Sequence, residues 1–367
     1  MTQPVSCVKV PGRHITVSEL DNRHRGSTRT YEFQGRSLPM MNRRMSRRRL
    51  AQLGLVAGGA AIVAAPRFEV AAQRDEPEGR IAFIKDGDIW QWSSEDGTDR
   101  LIEDGWAVDP TWQPRGQLLL YARDGGSYSD LVLANPRTGN RKRLTDNESN
   151  AEVGSPEYVE GCAWALDPFW SQSGIVCFIS DAASTMGQME LWILLPEQET
   201  AYVAANDGGD QGPPEKVSVD AAGTFCAYTV LAQGGAEGGT TYITMRDLNM
   251  GTTYPLIEGP QGAYDPAISP DAAWIVTTIR DENGTSDLWI FDRVAETMER
   301  LTDGEQASGA TWSPDGEWIA YLRWEGSGFE IRALRIDPDT GERVGNAKTL
   351  AGPEHIDSTS GISWGRL

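Results

Sequence analysis

The sequence predicts an all-β protein, a six-bladed β-propeller closed by pairing of its C-terminal strand with its N-terminal blade. One phrase recurs six times after residue 80, and its clearest copy, TWSPDGEWIAY, covers residues 311–321. The position of the tryptophan in this phrase falls at residues 112, 170, 217, 268, 312 and 364, in steps of 44 to 58 residues. Repeats of about 40–50 residues made of short strands and turns are typical of propeller blades.

Each repeat contains four runs that favour strands. The Trp-Ser phrase predicts the inner strand, Pro-Asp-Gly a tight turn, and Ile-Ala-Tyr the second strand. The third strand alternates apolar and polar residues, as in residues 287–292, and the outer strand follows a turn, as in residues 299–302. The first repeat has only the last three strands, within residues 80–102. We therefore expect residues 361–365 to complete this first blade.

The N-terminal region has the pattern of an export signal. Within residues 41–72 a basic segment precedes an apolar run of about fifteen residues and an exit of small residues. The run is shorter than the ~20 residues that span a bilayer, so no stable membrane span is expected after cleavage. We predict the domain boundaries that follow: a leader over residues 1–40, the signal over 41–72, a linker over 73–79 and the propeller over 80–367.

The charge is divided unevenly along the chain. Residues 1–72 hold 12 Lys/Arg and 4 Asp/Glu, whereas residues 73–367 hold the remaining 21 Lys/Arg and 49 Asp/Glu, for net charges of +8 and −28. An acidic propeller repels phosphate backbones, so nucleic acid is excluded as a partner. A solvated surface that keeps a monomer soluble explains this charge, and the alternative is recruitment of cations or of a basic partner.

These motifs resemble those of one propeller family and of one type of export signal. The run Trp-Ser-Pro-Asp-Gly, Ile-Ala-Tyr, Leu-Trp-Ile-Phe-Asp and Arg-Leu-Thr-Asp is similar to the WD40-like repeat of TolB-like six-bladed propellers over residues 80–367. This resemblance implies an extracytoplasmic binding module and no particular activity, since the same repeat occurs in peptidases and lyases. Residues 46–50, SRRRL, resemble the twin-arginine signal motif. Both resemblances imply a bacterial protein of the periplasm or the exterior.

Carboxylates are the candidate chemical groups. Asp109, Asp167 and Asp265 each precede a proline and stand three residues before the tryptophan position, which places them at the mouth of the central channel. Converging there, they could bind Ca²⁺ or a cationic group. The alternative is that each aspartate organises its own turn before the proline. Because His355 is the only histidine after the signal, a multi-histidine metal site is excluded, and no cofactor other than Ca²⁺ is expected.

The longest step between repeats contains a loop over residues 146–166. It lies on the same face as the aspartates, together with loops at residues 123–130, 231–240 and 281–286. Insertions in a repeat scaffold tend to collect on its binding face. Tyr158 and Trp164 are therefore candidate anchors for a partner, unless the loop is merely a tolerated insertion.

These observations favour an exported propeller that binds a protein, peptide or glycan on its loop-rich face, rather than an enzyme. One alternative is a hydrolase or lyase that uses the channel carboxylates with Ca²⁺, and another is a structural subunit of a cell-envelope complex. Cys177 and Cys226 are expected to be buried as small apolar residues. A disulfide between Cys162 and Cys177 is left open.

Overall fold

The computed structural model describes residues 9–10, 13–14, 75–184, 187–197, 200–205, 213–231 and 241–367. The predicted signal peptide and its twin-arginine motif lie outside the described residues, as does the leader apart from two short strands. The chain divides into two compact units, Met1–Glu19 with Pro77–Leu367, and Leu20–Glu76, of which only Asp75 and Glu76 are described.

Strands dominate the first unit, where six four-stranded antiparallel sheets follow one another along the chain. The strands are β1 (Lys9–Val10), β2 (Arg13–His14), β3 (Arg80–Lys85), β4 (Asp88–Ser93), β5 (Gly97–Ile102), β6 (Ala107–Trp112), β7 (Leu119–Asp124), β8 (Ser129–Ala134), β9 (Arg141–Arg143), β10 (Ala165–Trp170), β11 (Val176–Ser180), β12 (Glu190–Leu195), β13 (Thr200–Ala205), β14 (Pro214–Val219), β15 (Phe225–Leu231), β16 (Thr241–Asp247), β17 (Thr253–Glu258), β18 (Ala263–Ile268), β19 (Trp274–Arg280), β20 (Ser286–Asp292), β21 (Thr297–Arg300), β22 (Ala307–Trp312), β23 (Trp318–Trp324), β24 (Phe329–Ile336), β25 (Arg343–Glu354) and β26 (Ile362–Gly365).

The sheets confirm the predicted six-bladed propeller. Blade 1 has the strand order β26-β3-β4-β5, and blades 2 to 6 each contain four consecutive strands, from β6–β9 in blade 2 to β22–β25 in blade 6. Helix is scarce in the described residues: α1 (Pro156–Glu160) is a single turn and a 3₁₀ turn covers Ser358–Ser360. No helix there has the length and apolar character needed to cross a bilayer.

The ring closes through blade 1, as the incomplete first repeat predicted. Antiparallel pairing joins Ile362 to Phe83 and Gly365 to Arg80. The side chain of Trp364 is buried by this closure, and its indole N–H donates to the Glu78 carbonyl at 3.0 Å. A chain end that would normally fray is thereby held by a ladder and a buried aromatic ring.

The core is divided into one hydrophobic cluster between each pair of neighbouring blades, six in all. The repeated tryptophans 112, 170, 312 and 364 are buried in these clusters, as their recurrence predicted. The indole N–H of Trp312, for example, donates to the Ala267 carbonyl of the preceding blade at 2.9 Å. Each blade therefore buries its apolar surface only by stacking on its neighbours.

Blade 4 requires a correction of the predicted repeat. In blades 2, 5 and 6 the tryptophan position pairs with a residue seven positions later, as Trp312 does with Ile319. In blade 4 the residue with this pairing is Val219, opposite Cys226, and not Val217. Because blade 4 has no tryptophan in its inner strand, its sequence predicts the tryptophan position two residues too early.

The described cysteines are Cys162, Cys177 and Cys226, and none of them forms a disulfide, so the Cys162–Cys177 bridge is not formed. Cys177 and Cys226 are buried as small apolar residues, as expected. Burial raises the pKa of the Cys177 thiol to about 12, which keeps it protonated and unreactive.

Deletion of residues 361–367 tests the closure. We expect the free energy of unfolding to fall by about 3 kcal/mol or more, because burial of a large side chain such as Trp364 contributes roughly 1.5–3 kcal/mol and a ladder is lost with it. The opened sheet edges should also promote aggregation. Chemical denaturation and light scattering measure both effects. Removal of the exposed Leu367 alone is the control, and a seven-residue truncation that behaves like this control would contradict the composite blade.

Candidate functional site

The inner strands share a bulge at the mouth of the channel. A register irregularity interrupts the pairing of the first two strands in each of blades 2 to 6. At the equivalent position of every blade one residue has a positive φ, between 48° and 65°: Asp109, Asp167, Lys216, Asp265, Gly309 and Gly361. Bulges of this kind redirect side chains near functional sites, and non-glycine residues at positive φ persist only when their surroundings hold them.

The aspartate carboxylates hold these bulges by accepting backbone N–H groups from the next blade. The amide of Asp167 donates to Asp109 Oδ2 at 3.1 Å, and the amide of Lys216 donates to Asp167 Oδ2 at 3.2 Å. The amide of Asp265 donates to the Thr229 hydroxyl of blade 4 at 3.2 Å. These carboxylate contacts connect neighbouring blades, and the alternative in which each aspartate organises its own turn stays a prediction.

Lys216 is the residue of the site that sequence reasoning missed. Its ammonium lies 3.0 Å from Asp109 Oδ1 and also forms an ion pair with Asp167 Oδ1, so one side chain connects blades 2, 3 and 4. It occupies the repeat position that aspartate holds in blades 2, 3 and 5. Alignment of Val219-Asp220-Ala221 with Ile268-Ser269-Pro270 would have placed it there.

The protonation states follow from burial and from these neighbours. Burial opposes the charge of Lys216, but the carboxylates of Asp109 and Asp167 outweigh it and raise the lysine pKa. Burial, followed by repulsion from Asp167, raises the pKa of Asp109 against the attraction of Lys216. Burial also raises the pKa of Asp265. Two carboxylates thus share one ammonium, and the charge of Lys216 also opposes the rise in the pKa of Asp265.

Below the mouth the channel forms a cavity of about 170 Å³, lined by the inner strands of all six blades. Hydroxyl groups form a second tier of contacts between blades here. Ser363, Thr111 and Ser218 accept the amides of Trp112, Trp170 and Ile268, at 3.0, 3.2 and 3.0 Å. Gly361–Gly365 matches Gly-x-Ser-x-Gly by sequence, but Ser363 lies within β26 and has this structural role.

The arrangement of the mouth is that of an internal ion-pair network. In the described part of the chain no three His, Cys, Asp or Glu side chains are grouped as metal ligands. The Lys216 ammonium lies between Asp109 and Asp167, where a bound cation would have to lie. The donor set of the three aspartates therefore does not fit Ca²⁺ while Lys216 is present.

The predicted anchors Tyr158 and Trp164 lie on the loop-rich face. This face comprises the inner-strand entrances, the connections from second to third strands, and those from outer strands to the next blade. Tyr158 is only 7% exposed, and its hydroxyl donates to Glu148 Oε1 at 3.3 Å, so it serves the fold of its own loop. Trp164 is half-buried, and its amide donates to Asp181 Oδ1 at 2.7 Å. Partner binding by either residue remains a prediction.

Two other aromatic residues on this face were not singled out by the sequence. Trp106, just before β6, is 56% exposed, and Trp324, at the end of β23, is 45% exposed. The repeat hides them, because tryptophan is so frequent in the buried inner strands that its composition signal is lost. Exposed tryptophans of this kind are enriched at binding sites.

No family model matches the chain. An uncharacterized protein, YidR of Escherichia coli K12, is 25% identical over 164 residues, which is 43% of this chain and 35% of that protein. The matched stretch thus spans about a third of the length of this relative.

Solved structures show the fold alone. TolB from Acinetobacter baumannii aligns over 79% of this chain and 67% of its own, with 16% identity and a TM-score of 0.58. The putative TolB from Agrobacterium tumefaciens aligns over 75% of this chain and 88% of its own, with 15% identity and a TM-score of 0.54. A chain of the nidogen/laminin complex aligns over 77% of this chain and 97% of its own, with 9% identity and a TM-score of 0.54. The predicted likeness to TolB propellers is therefore confirmed at the level of the fold.

Replacement Lys216→Met tests the ion-pair network. It leaves two carboxylates facing each other, and loss of one partner from such a buried pair costs about 3–5 kcal/mol. Because the pKa of Asp109 is raised in the folded state, the cost of ionising it is absent below its unfolded-state pKa and complete above its folded-state pKa. The stability lost in Lys216→Met should therefore be larger at pH 8 than at pH 5. Chemical denaturation at both pH values measures this loss of stability.

The double variant Lys216→Met/Asp109→Asn should recover part of the lost stability. Arg115→Met, at an exposed position, is the control. Equal effects of Lys216→Met and Arg115→Met would contradict the network.

The melting temperature should not respond to Ca²⁺. Ligands that bind the native state raise it by mass action, but the Lys216 ammonium already lies between Asp109 and Asp167, where the ion would bind. Differential scanning calorimetry with the ion and with a chelator measures the response. A Ca²⁺-dependent increase that disappears in Asp109→Asn/Asp167→Asn/Asp265→Asn would instead establish the calcium site.

Proposed function

We propose that the protein is an exported binding module that takes a protein, peptide or glycan on its loop-rich face. The observation that carries this proposal is the exposure of Trp106 and Trp324 on that face. Exposed large aromatic residues have no role in the core of a propeller, whereas they supply contact area to a partner. The signal pattern of residues 41–72 supports export to the periplasm or the exterior.

The surroundings of these residues also favour a binding role. The loop that contains α1 exposes Val153 and Val159 among the exposed glutamates Glu152, Glu157 and Glu160. A mixed apolar and acidic surface suits a polypeptide partner with apolar and basic side chains. The closed ring of six sheets beneath provides the scaffold that carries these loops.

One observation favours the hydrolase or lyase as a second candidate. Asp265 lies beside the channel cavity, and burial raises its pKa, as is common for general acids. We rank this reading lower because Asp109 and Asp167, which would supply the second carboxylate, are paired with Lys216. The structural subunit of an envelope complex would use the same loop-rich face as the binding module.

Site-specific photo-cross-linking in the native cell tests the proposed face. A benzophenone amino acid at position 106, 164 or 324 should give discrete adducts with a partner, while the same group at Val294 should not. Val294 is the matched control, because it is 75% exposed in the turn between β20 and β21 on the opposite face. Adducts at Val294 alone, or none at the three tryptophan positions, would contradict the proposal. A fixed one-to-one adduct in all molecules would favour the structural subunit.

A further inference from the structure

A repeated ion pair stabilises the loop-rich end of the blades. An aspartate at the start of the third strand binds an arginine of the outer strand: Asp88 with Arg100 at 3.2 Å in blade 1, and Asp130 with Arg143 at 3.3 Å in blade 2. Blade 5 repeats this pair with Asp287 and Arg300. These carboxylates also accept backbone or hydroxyl groups from the segment after the outer strand, as Asp130 does from the Thr145 hydroxyl at 2.8 Å.

Blade 3 retains the acid of this pair and lacks the arginine. Glu190 begins β12, as Asp88 begins β4. The arginine position is defined by register, because Arg100 pairs with Trp90, Arg143 with Val132 and Arg300 with Trp289. In blade 3 the residue with this pairing is Val203, opposite Trp192.

Glu190 therefore lacks the arginine that pairs with the acid in blades 1, 2 and 5. It is only 5% exposed, and its Oε2 atom is buried with no hydrogen-bond partner. Among the described residues no cation forms an ion pair with it, whereas Glu330, at the same position of blade 6, lies 3.6 Å from Arg323. Burial, with repulsion from Asp181, raises the pKa of Glu190. A buried carboxyl oxygen without a partner is costly, so its retention requires an explanation.

The other blades show which group satisfies a carboxylate at this position. In blades 1, 2 and 5 the acid side chain is 3–14% exposed, whereas Arg100, Arg143 and Arg300 are 37–46% exposed, so the arginine is the partner nearer to solvent. A side chain presented from outside the protein can therefore approach from the same direction, above the half-buried Val203. Arginine matches a carboxylate better than lysine does, because its planar guanidinium can donate two parallel hydrogen bonds.

We propose that Glu190 is the binding site for an arginine side chain of a partner, which takes the place left by the missing arginine of blade 3. This inference rests on the proposed function, since Glu190 lies at the loop-rich end of its blade. It adds the chemical class of the bound group and its position. The partner thus completes a contact that the other blades make internally.

The test uses the peptide acetyl-Gly-Arg-Gly-amide and, for comparison, its citrulline analogue, which has the same shape without the charge. Titrations of the intact protein are followed by amide chemical shifts in NMR. We expect the arginine peptide to shift resonances of blade 3, and Glu190→Gln to weaken its binding by about tenfold, the effect of losing one charge-assisted contact. Loss of the charge from the peptide should have the same effect as its loss from the protein. The citrulline peptide should therefore bind the parent protein as weakly as the arginine peptide binds Glu190→Gln.

Two matched variants keep the test decisive. Val203→Arg restores the internal pair and should abolish peptide binding while raising the melting temperature. Arg143→Val removes the pair of blade 2 and should create a second site at Asp130.

Equal binding by the parent protein and Glu190→Gln, or no shift in blade 3, would overturn the proposal. A higher melting temperature of Glu190→Gln without peptide binding to the parent would assign Glu190 a neutral structural role instead. Failure here leaves the cross-linking result at positions 106, 164 and 324 unaffected, so the two proposals are judged separately.

Discussion

The pairing of β26 with β3 is the contact on which the rest of this propeller depends. It joins residues more than 270 positions apart, such as Trp364 and Ile81, and it converts a linear series of sheets into a ring. Because each blade buries its apolar face against the next, an open series would leave two blades with one uncovered face. Closure covers both faces, and it brings the inner strands of all six blades around one cavity.

The mouth of that cavity shows how strained backbone and charge support each other. The bulge holds Asp109, Asp167 and Lys216 at positive φ, and the amides of Asp167 and Lys216 donate to the preceding blade. The carboxylates of Asp109 and Asp167 accept these amides, and both pair with the single Lys216 ammonium. Asp109 and Asp167, which the sequence offers as candidate metal ligands, thus connect blades. The loop-rich face around the channel is therefore the better candidate for binding.

Departures from the repeat carry more information about function than the repeat itself. Where blades agree, as in the aspartate–arginine pairs of blades 1, 2 and 5, the residues stabilise the scaffold. Glu190 keeps the acid without the arginine, and Trp106 and Trp324 are about half exposed although most tryptophans of the repeat are buried. These departures lie on one face, which is consistent with a scaffold that is uniform inside and specialised at one surface.

The sequence by itself determined the class of fold, the number of blades and the composite first blade, because these follow from a periodic pattern of apolar residues and turns that short-range physics enforces. It also identified the burial of Trp112, Trp170, Trp312 and Trp364. Only the tertiary structure decided the role of the aspartates, since their partners are amides of other blades, 49 and 58 residues away in the chain. The same holds for Lys216, which reaches Asp109 across an intervening blade, and for Glu190, whose missing arginine is visible only when strands are compared in register. Periodicity encodes what each blade repeats, whereas the chemistry between blades depends on which side chains the closed ring brings together.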